Sequence, residues 1–162
     1  MTRRYPDRPL IGVGGIVLAP TLDRVLLIRR AAPPAQGLWS IPGGLVQTGE
    51  PLDQACQREV QEETGLVVTV PRSQVARLAE RIIPDTTGAV EYHYLIVDFW
   101  TIDSTGAEPA AASDASDVVW VAPQELHQRP TTHGLSGAIQ RALCLARGEV
   151  PTTPLLETIV GV

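Results

Sequence analysis

The sequence predicts an α/β domain in which a mixed or antiparallel sheet carries two amphipathic helices. Three observations support this reading. β-Branched and leucine-rich runs of strand length recur along the chain. Two longer segments instead space their apolar residues at helical intervals. Turn residues such as the paired prolines Pro33 and Pro34 punctuate the sequence between elements. With 162 residues, 44% of them hydrophobic, one domain spanning 1–162 can bury its own core without disulfides or a structural metal. Residues 1–9 and 149–162 are expected to be peripheral tails.

Residues 10–19 and 24–30 are the first two strand runs, and Pro20, Thr21, Leu22 and Asp23 between them suggest a β-hairpin. The segment 31–37 cannot continue a strand, because paired prolines remove ladder donors and fix φ. A short strand is expected at 39–41, followed by Pro42, Gly43 and Gly44. From 51 to 64, Leu52, Ala55, Cys56 and Val60 follow helical spacing, with proline tolerated in the first turn and Gly65 as the C-terminal stop. Strands are expected at 66–70, 75–83 and 90–102, the last two joined by a turn through Pro84 and Gly88. Residues 103–117 are rich in Ala, Ser and Asp and should form a surface loop. A strand at 118–121 and a short helix near 124–128 follow. The last helix, 135–147, shows one apolar face of Leu135, Ala138, Ile139, Ala142, Leu143 and Ala146. The apolar segment 151–162 is left to dock on the fold or on a partner subunit.

Composition narrows the function classes. The formal net charge of −5 argues against binding long nucleic acid, which depends on a basic face neutralising many phosphates. No stretch approaches the ~20 apolar residues of a membrane span, and residues 1–6 lead into no apolar signal core, so a cytoplasmic location is expected. Cys56 and Cys144 form no C-x-x-C pair and are read as small buried hydrophobes. All thirteen basic residues are arginine, a bias that still leaves one or two of them to grip phosphate.

The chemistry concentrates on the first helix. Glu59, Glu62 and Glu63 stand at i, i+3 and i+4, so their carboxylates share one face. Such crowding repels, raises the carboxylate pKa values and opposes the helix dipole in its C-terminal half. A glutamate run is usually a solvated face, but a hard divalent cation relieves the repulsion, and Mg²⁺ prefers a few carboxylates together with phosphate oxygens. Gly43, Gly44 and Gly49 just before the helix let the backbone approach that face.

The segment from Gly44 through Glu50, then Arg58, Glu59, Val60, Glu62, Glu63, Gly65 and Leu66, matches the Nudix box, G-x5-E-x7-R-E-U-x-E-E-x-G-U with U a bulky aliphatic. Nine defined positions at fixed spacing make the match specific, and Trp39 to Gly43 before it also resembles the family. A looser resemblance, including Trp120, Val121 and Ala122 followed by Gln124, Glu125 and Leu126, extends over about residues 10–145. Gln47 departs from the glutamate many relatives carry there, outside the fixed pattern.

This resemblance implies an α/β/α sandwich around a mixed sheet and hydrolysis of a nucleoside diphosphate linked to another group. It implies Glu59, Glu63 and the Gly43 carbonyl as metal ligands, with Glu62 a ligand directly or through water. Glu50, Arg58 and Gly44 are implied to support them. The cofactor would be Mg²⁺, with Mn²⁺ as a substitute. A box glutamate or a carboxylate in the loop before the late tryptophan-containing strand would take the proton, which here points to Asp114 ahead of Asp117. A homodimer is expected, with no interface that the sequence names.

Substrate is read from outside the box. The stretch from Glu91 to Phe99, after a strand containing Arg81, is similar to bacterial ADP-ribose pyrophosphatase-like members. Arg29, Arg30 and Arg81 are the candidates for gripping phosphate or ribose, with Tyr92 or Trp39 stacking on a base, whereas His93 is read as structural. ADP-ribose or a related nucleotide sugar is therefore the first expectation. A nucleoside-triphosphate pyrophosphohydrolase is the alternative, and a non-catalytic nucleotide-sensing module a third reading from another class.

Overall fold

The computed structural model describes residues 3–161, so Met1, Thr2 and Val162 of the expected tails lie outside the described residues. The strands are β1 (Leu10–Leu18), β2 (Val25–Arg30), β3 (Trp39–Ser40), β4 (Gly43–Leu45), β5 (Val75–Pro84), β6 (Val90–Ile102), β7 (Ala115–Val121) and β8 (Leu156–Val160). Helix α1 (Leu52–Thr64) follows β4, and α2 (Leu135–Ala146) follows a 3₁₀ turn at Pro123–Gln128. The main path of the sheet runs β3-β2-β1-β6-β5-β8, with β4 paired to β1 and β7 to β2. β1–β6 and β5–β8 are parallel and the other pairings antiparallel, so the sheet is mixed.

Each face of this sheet buries one helix. Ala55, Cys56 and Val60 of α1 pack with Val13, Val17, Leu26, Val97 and Phe99. A Cβ on Gly15 would sit 2.6 Å from the Val60 side chain, so the absence of a side chain there lets α1 lie close against β1. On the other face, Leu135, Ala138, Ile139, Ala142 and Leu143 of α2 pack with Ile16, Leu18, Val25 and Leu27. Each fully buried aliphatic side chain contributes about 1.5–3 kcal/mol of transfer free energy. Gly65 caps α1 in the left-handed region at φ 74°, donating its N–H to the Gln61 carbonyl.

Three sequence expectations need correction. β1 and β2 do not run together as a hairpin: they pair only at Leu18 and Val25. β4 takes the β1 residues Gly12, Val13 and Gly14, while β2 pairs along β7, so the two strands diverge and open the sheet between them. Residues 66–70 form no strand. Leu66, Val68 and Val70 are buried, but side chains supply polar partners: Gln57 Oε1 accepts from the Val70 N–H, and the Thr101 hydroxyl donates to the Thr69 carbonyl. The C-terminal segment, expected as a peripheral tail that docks on the fold or on a partner subunit, docks on the fold as β8 beside β5. β7 also begins earlier than expected, at Ala115.

Cys56 is buried, with its thiol pushed up to about 12 chiefly by desolvation. Cys144 is only partly buried, contrary to the expectation for both cysteines. Among the described residues, no helix is long and apolar enough to cross a membrane.

Candidate active site

Divergence of β1 from β2 leaves a cleft of about 430 Å³ on the sheet, lined by Gly12, Gly14, Gly43 and Gly44, by the α1 residues Arg58, Glu59, Glu62 and Glu63, and by Arg30, Arg81 and Asp114. One wall is the glutamate face. The opposite wall is formed by β5 and β6, through Arg77, Arg81, Tyr94 and Asp98.

Arg58 organises the first wall. Its Nε and Nη2 donate to the two Glu50 carboxylate oxygens at 2.7 and 2.9 Å, a bidentate pair that fixes the guanidinium plane. Nη2 also donates to the Leu45 carbonyl at 3.1 Å, and Nη1 to Glu59 at 2.6 Å and Glu62 at 3.3 Å. Glu50 accepts the Gln47 N–H as well, which ties the loop before α1 to the same carboxylate. The Arg58 hydrogen bonds hold the Glu50 carboxyl below its ordinary range.

Close packing explains the two glycines. A Cβ on Gly44 would fall 2.5 Å from the Glu59 carboxylate, and one on Gly43 would fall 2.2 Å from the Val13 carbonyl. The Gly43 N–H donates to Glu63 Oε2 at 2.8 Å. Glu63 is only 3% exposed, and burial pushes its carboxyl up to about 7, with the nearby Glu59 and Asp114 charges adding to the rise and Gly43 and Arg30 opposing it. Glu59 is also raised, mainly by desolvation. Glu62 is the outermost of the three, with 47% of its side chain exposed.

The three carboxylates line one cleft but do not converge as a finished cage; among the described residues no group of three acidic, histidine or cysteine side chains does so. Arg58 draws one oxygen each of Glu59 and Glu62 aside, and the Gly43 N–H draws one of Glu63. The second oxygen of each carboxylate makes no hydrogen bond among the described residues. The donor set is therefore all-oxygen and partly free, which suits a hard divalent cation that keeps some water and takes phosphate oxygens.

Asp114 reaches the cleft because its loop is bonded to the end of α1. The Ala110 and Ala112 N–H groups donate to the Thr64 and Glu63 carbonyls, two of the acceptors that a helix C-terminus leaves open. Asp117 does not line the cleft; its Oδ1 accepts the neighbouring Val118 N–H.

The arginine expectations divide. Arg30 lines the cleft, its Nε donating to the Pro34 carbonyl at 3.0 Å. Arg29, one residue earlier on β2, is exposed away from it and donates to the Gly37 carbonyl, because successive strand residues face opposite sides. Arg81 lines the opposite wall and donates to the His133 carbonyl; burial lowers its pKa. Neither expected stacking residue faces the cleft. Trp39 is buried in the core beneath the Arg129 guanidinium, which lies 4.9 Å from its ring centroid. Tyr92 stacks on Tyr94 at 6.1 Å, and Tyr94 is the one that lines the cleft. His93 lies 3.5 Å from Glu80 and is absent from the cleft wall.

Sequence reasoning missed Arg77 and Asp98, both buried and both on the cleft wall. The available signal was a charged residue set beside apolar strand neighbours, Arg77 after Ala76 and Asp98 between Val97 and Phe99.

A NUDIX domain model matches residues 8–142. The chain belongs to the NUDIX family. It is 40% identical to an ADP-ribose pyrophosphatase of Methanocaldococcus jannaschii over 62 residues, which are 38% of this chain and 36% of that protein. The match therefore spans about a third of that relative's length. It is 28% identical to the nucleoside triphosphatase NudI of Escherichia fergusonii, over 67% of this chain and 76% of the relative. Among solved structures, a MutT NUDIX hydrolase from Burkholderia pseudomallei superposes with a TM-score of 0.68 at 28% identity, covering 83% of this chain and 98% of that one. That NUDIX structure shares the mixed sheet and helices described above.

Proposed function

We propose that this NUDIX chain hydrolyses a phosphoanhydride bond in a nucleoside diphosphate linked to another moiety, with ADP-ribose or a related nucleotide sugar as the substrate and Mg²⁺ as the cofactor. The observation that carries this reading is the face of Glu59 and Glu62, braced by Arg58, and Glu63, held by the Gly43 N–H, which opens with the Gly43–Gly44 backbone into the same cleft as Arg30 and Arg81. Glu59, Glu63, Glu62 and the Gly43 carbonyl would hold the metal. Bound there, Mg²⁺ would offset charge on the phosphate oxygens and lower the pKa of the attacking water. That water attacks one phosphorus, the anhydride P–O bond breaks, and the departing phosphate leaves with the bonding electron pair. Arg30 offers guanidinium donors to the substrate's phosphate, and Arg81 offers donors to another part of the same nucleotide. Asp114 is the group assigned to accept the water's proton, with Glu62 the box carboxylate that competes for the role.

The NudI relative supports a second reading, removal of pyrophosphate from a nucleoside triphosphate. A hydrolysis screen of ADP-ribose, nucleotide sugars, diadenosine polyphosphates and canonical or oxidised nucleoside triphosphates with Mg²⁺ separates the two. AMP with ribose 5-phosphate supports the first, and a nucleoside monophosphate with pyrophosphate the second. Glu62→Gln is expected to abolish most turnover. Tight nucleotide binding with no metal-dependent turnover of any substrate would overturn both and leave a sensing module.

A further inference from the structure

The cleft wall opposite the glutamates holds a second charged device. Arg77 Nε and Nη2 both donate to Oδ2 of Asp98, at 3.0 and 2.8 Å, while Nη1 donates to Glu157 on β8 at 3.0 Å and to the Gly134 carbonyl at 2.9 Å. Asp98 is 2% exposed, yet among the described residues its other oxygen, Oδ1, makes no hydrogen bond. That oxygen lies over Gly14, where a Cβ would come within 2.3 Å of it, so the missing side chain leaves it open to the cleft that both residues line. A carboxylate oxygen that accepts no protein hydrogen bond and faces a cleft is open to a ligand that donates to it.

Arg81 stands on the same face of β5 as Arg77, and one of its amino groups is spent on the His133 carbonyl. Its Nε and Nη1 have no partner among the described residues. An acceptor and a set of donors thus face one lobe, whose remaining walls include Ile41, Ile83, Tyr94 and Ile96. The Asp98 carboxylate repels phosphate, so the anionic end of a substrate belongs at Arg30 and the glutamate face. A flat, neutral group with a donor beside an acceptor suits the lobe itself.

We propose that this lobe is the nucleobase subsite: Asp98 Oδ1 accepts from an exocyclic amino group, and Arg81 donates to the adjacent ring nitrogen. Adenine and cytosine present that edge; hypoxanthine and uracil present the reverse. Arg77 and Glu157 are positioning residues, acting through Asp98. The inference rests on the nucleotide-hydrolase reading above.

The test compares kcat/KM for ADP-ribose with its hypoxanthine analogue, ATP with ITP, and CTP with UTP, on the wild-type protein with Mg²⁺. The amino-bearing member of each turned-over pair is expected to be favoured roughly ten- to hundredfold, the range for a hydrogen bond to a charged group. Asp98→Asn, which turns an amide donor or acceptor toward the base, should shrink or reverse that ratio, and Glu157→Gln should raise KM for the amino-bearing substrate with kcat retained. Turnover with equal kcat/KM within every pair would overturn the subsite, as would a loss on removing a ribose hydroxyl with none on changing the base. Absence of turnover on any nucleotide would instead overturn the hydrolase reading. The wild-type comparison stands even if Asp98→Asn fails to fold.

Discussion

Arg58 and Glu50 form a two-point hydrogen-bonded pair, 2.7 and 2.9 Å long, which ties the loop before α1 to the middle of that helix, eight positions further along the chain. The pair fixes the direction of the third guanidinium nitrogen, which holds Glu59 and Glu62. Lysine keeps the charge but not the fork, so Arg58→Lys is expected to lose most of this orientation. Disturbing a residue that orients metal ligands typically costs 10–100-fold in metal affinity or activity. Titration of Mg²⁺ dependence in Arg58→Lys and Glu50→Gln should show a loss of about that size in both, with their effects less than additive in the double variant. Fully additive losses would mean that the two residues act separately.

The adjacent glycines are expected to fail differently. In Gly44→Ala the new methyl meets the Glu59 side chain, which can swing away, so the variant should fold and lose activity. In Gly43→Ala the methyl meets the Val13 carbonyl in a paired strand, where backbone must move. Overpacking of this kind costs about 1–3 kcal/mol. Thermal unfolding should therefore show a clear drop for Gly43→Ala and little change for Gly44→Ala, with turnover low in both.

The buried Glu63 makes the metal-free protein sensitive to pH. The unfolded chain releases this proton near 4.5, whereas the native state holds it to about 7, mainly through desolvation. Between those values the native state binds more protons, so this group's contribution to stability declines as pH rises and is fully lost above about 7. The size is on the order of 3 kcal/mol. Urea unfolding in EDTA at pH 5 and pH 8 should show a smaller loss across that window in Glu63→Gln than in the wild type. An identical loss in both proteins would refute the assignment.

Asp114 and Asp117 give a contrast within one short segment. Asp114 lines the cleft, and Asp117 instead accepts its neighbour's N–H. If Asp114 takes the proton from water, Asp114→Asn should lower kcat by roughly 10²–10⁴-fold with KM little changed, the usual range for general base catalysis. Asp117→Asn should leave kcat within a small factor of the wild type. Full activity of Asp114→Asn would transfer the role to a box glutamate.

Local pattern determined a large part of this protein. Helical spacing placed Glu59, Glu62 and Glu63 on one side of α1, and the resemblance to the Nudix box implied Gly43, Gly44, Glu50 and Arg58 beside them, all within one continuous stretch of β4, loop and α1. The strand expected at 66–70 does not form, because side chains rather than a neighbouring strand satisfy polar backbone groups of this segment. Tertiary structure alone decided which of two adjacent arginines enters the cleft, since that depends on which face of β2 is turned inward. It also decided that Asp98 meets Arg77, and that Arg77 meets Glu157. Those residues lie 21 and 80 positions apart, and only the β5–β6 and β5–β8 registers bring them together. Strand order and register are set by the burial of whole faces, so they have no signature in the spacing of any one segment.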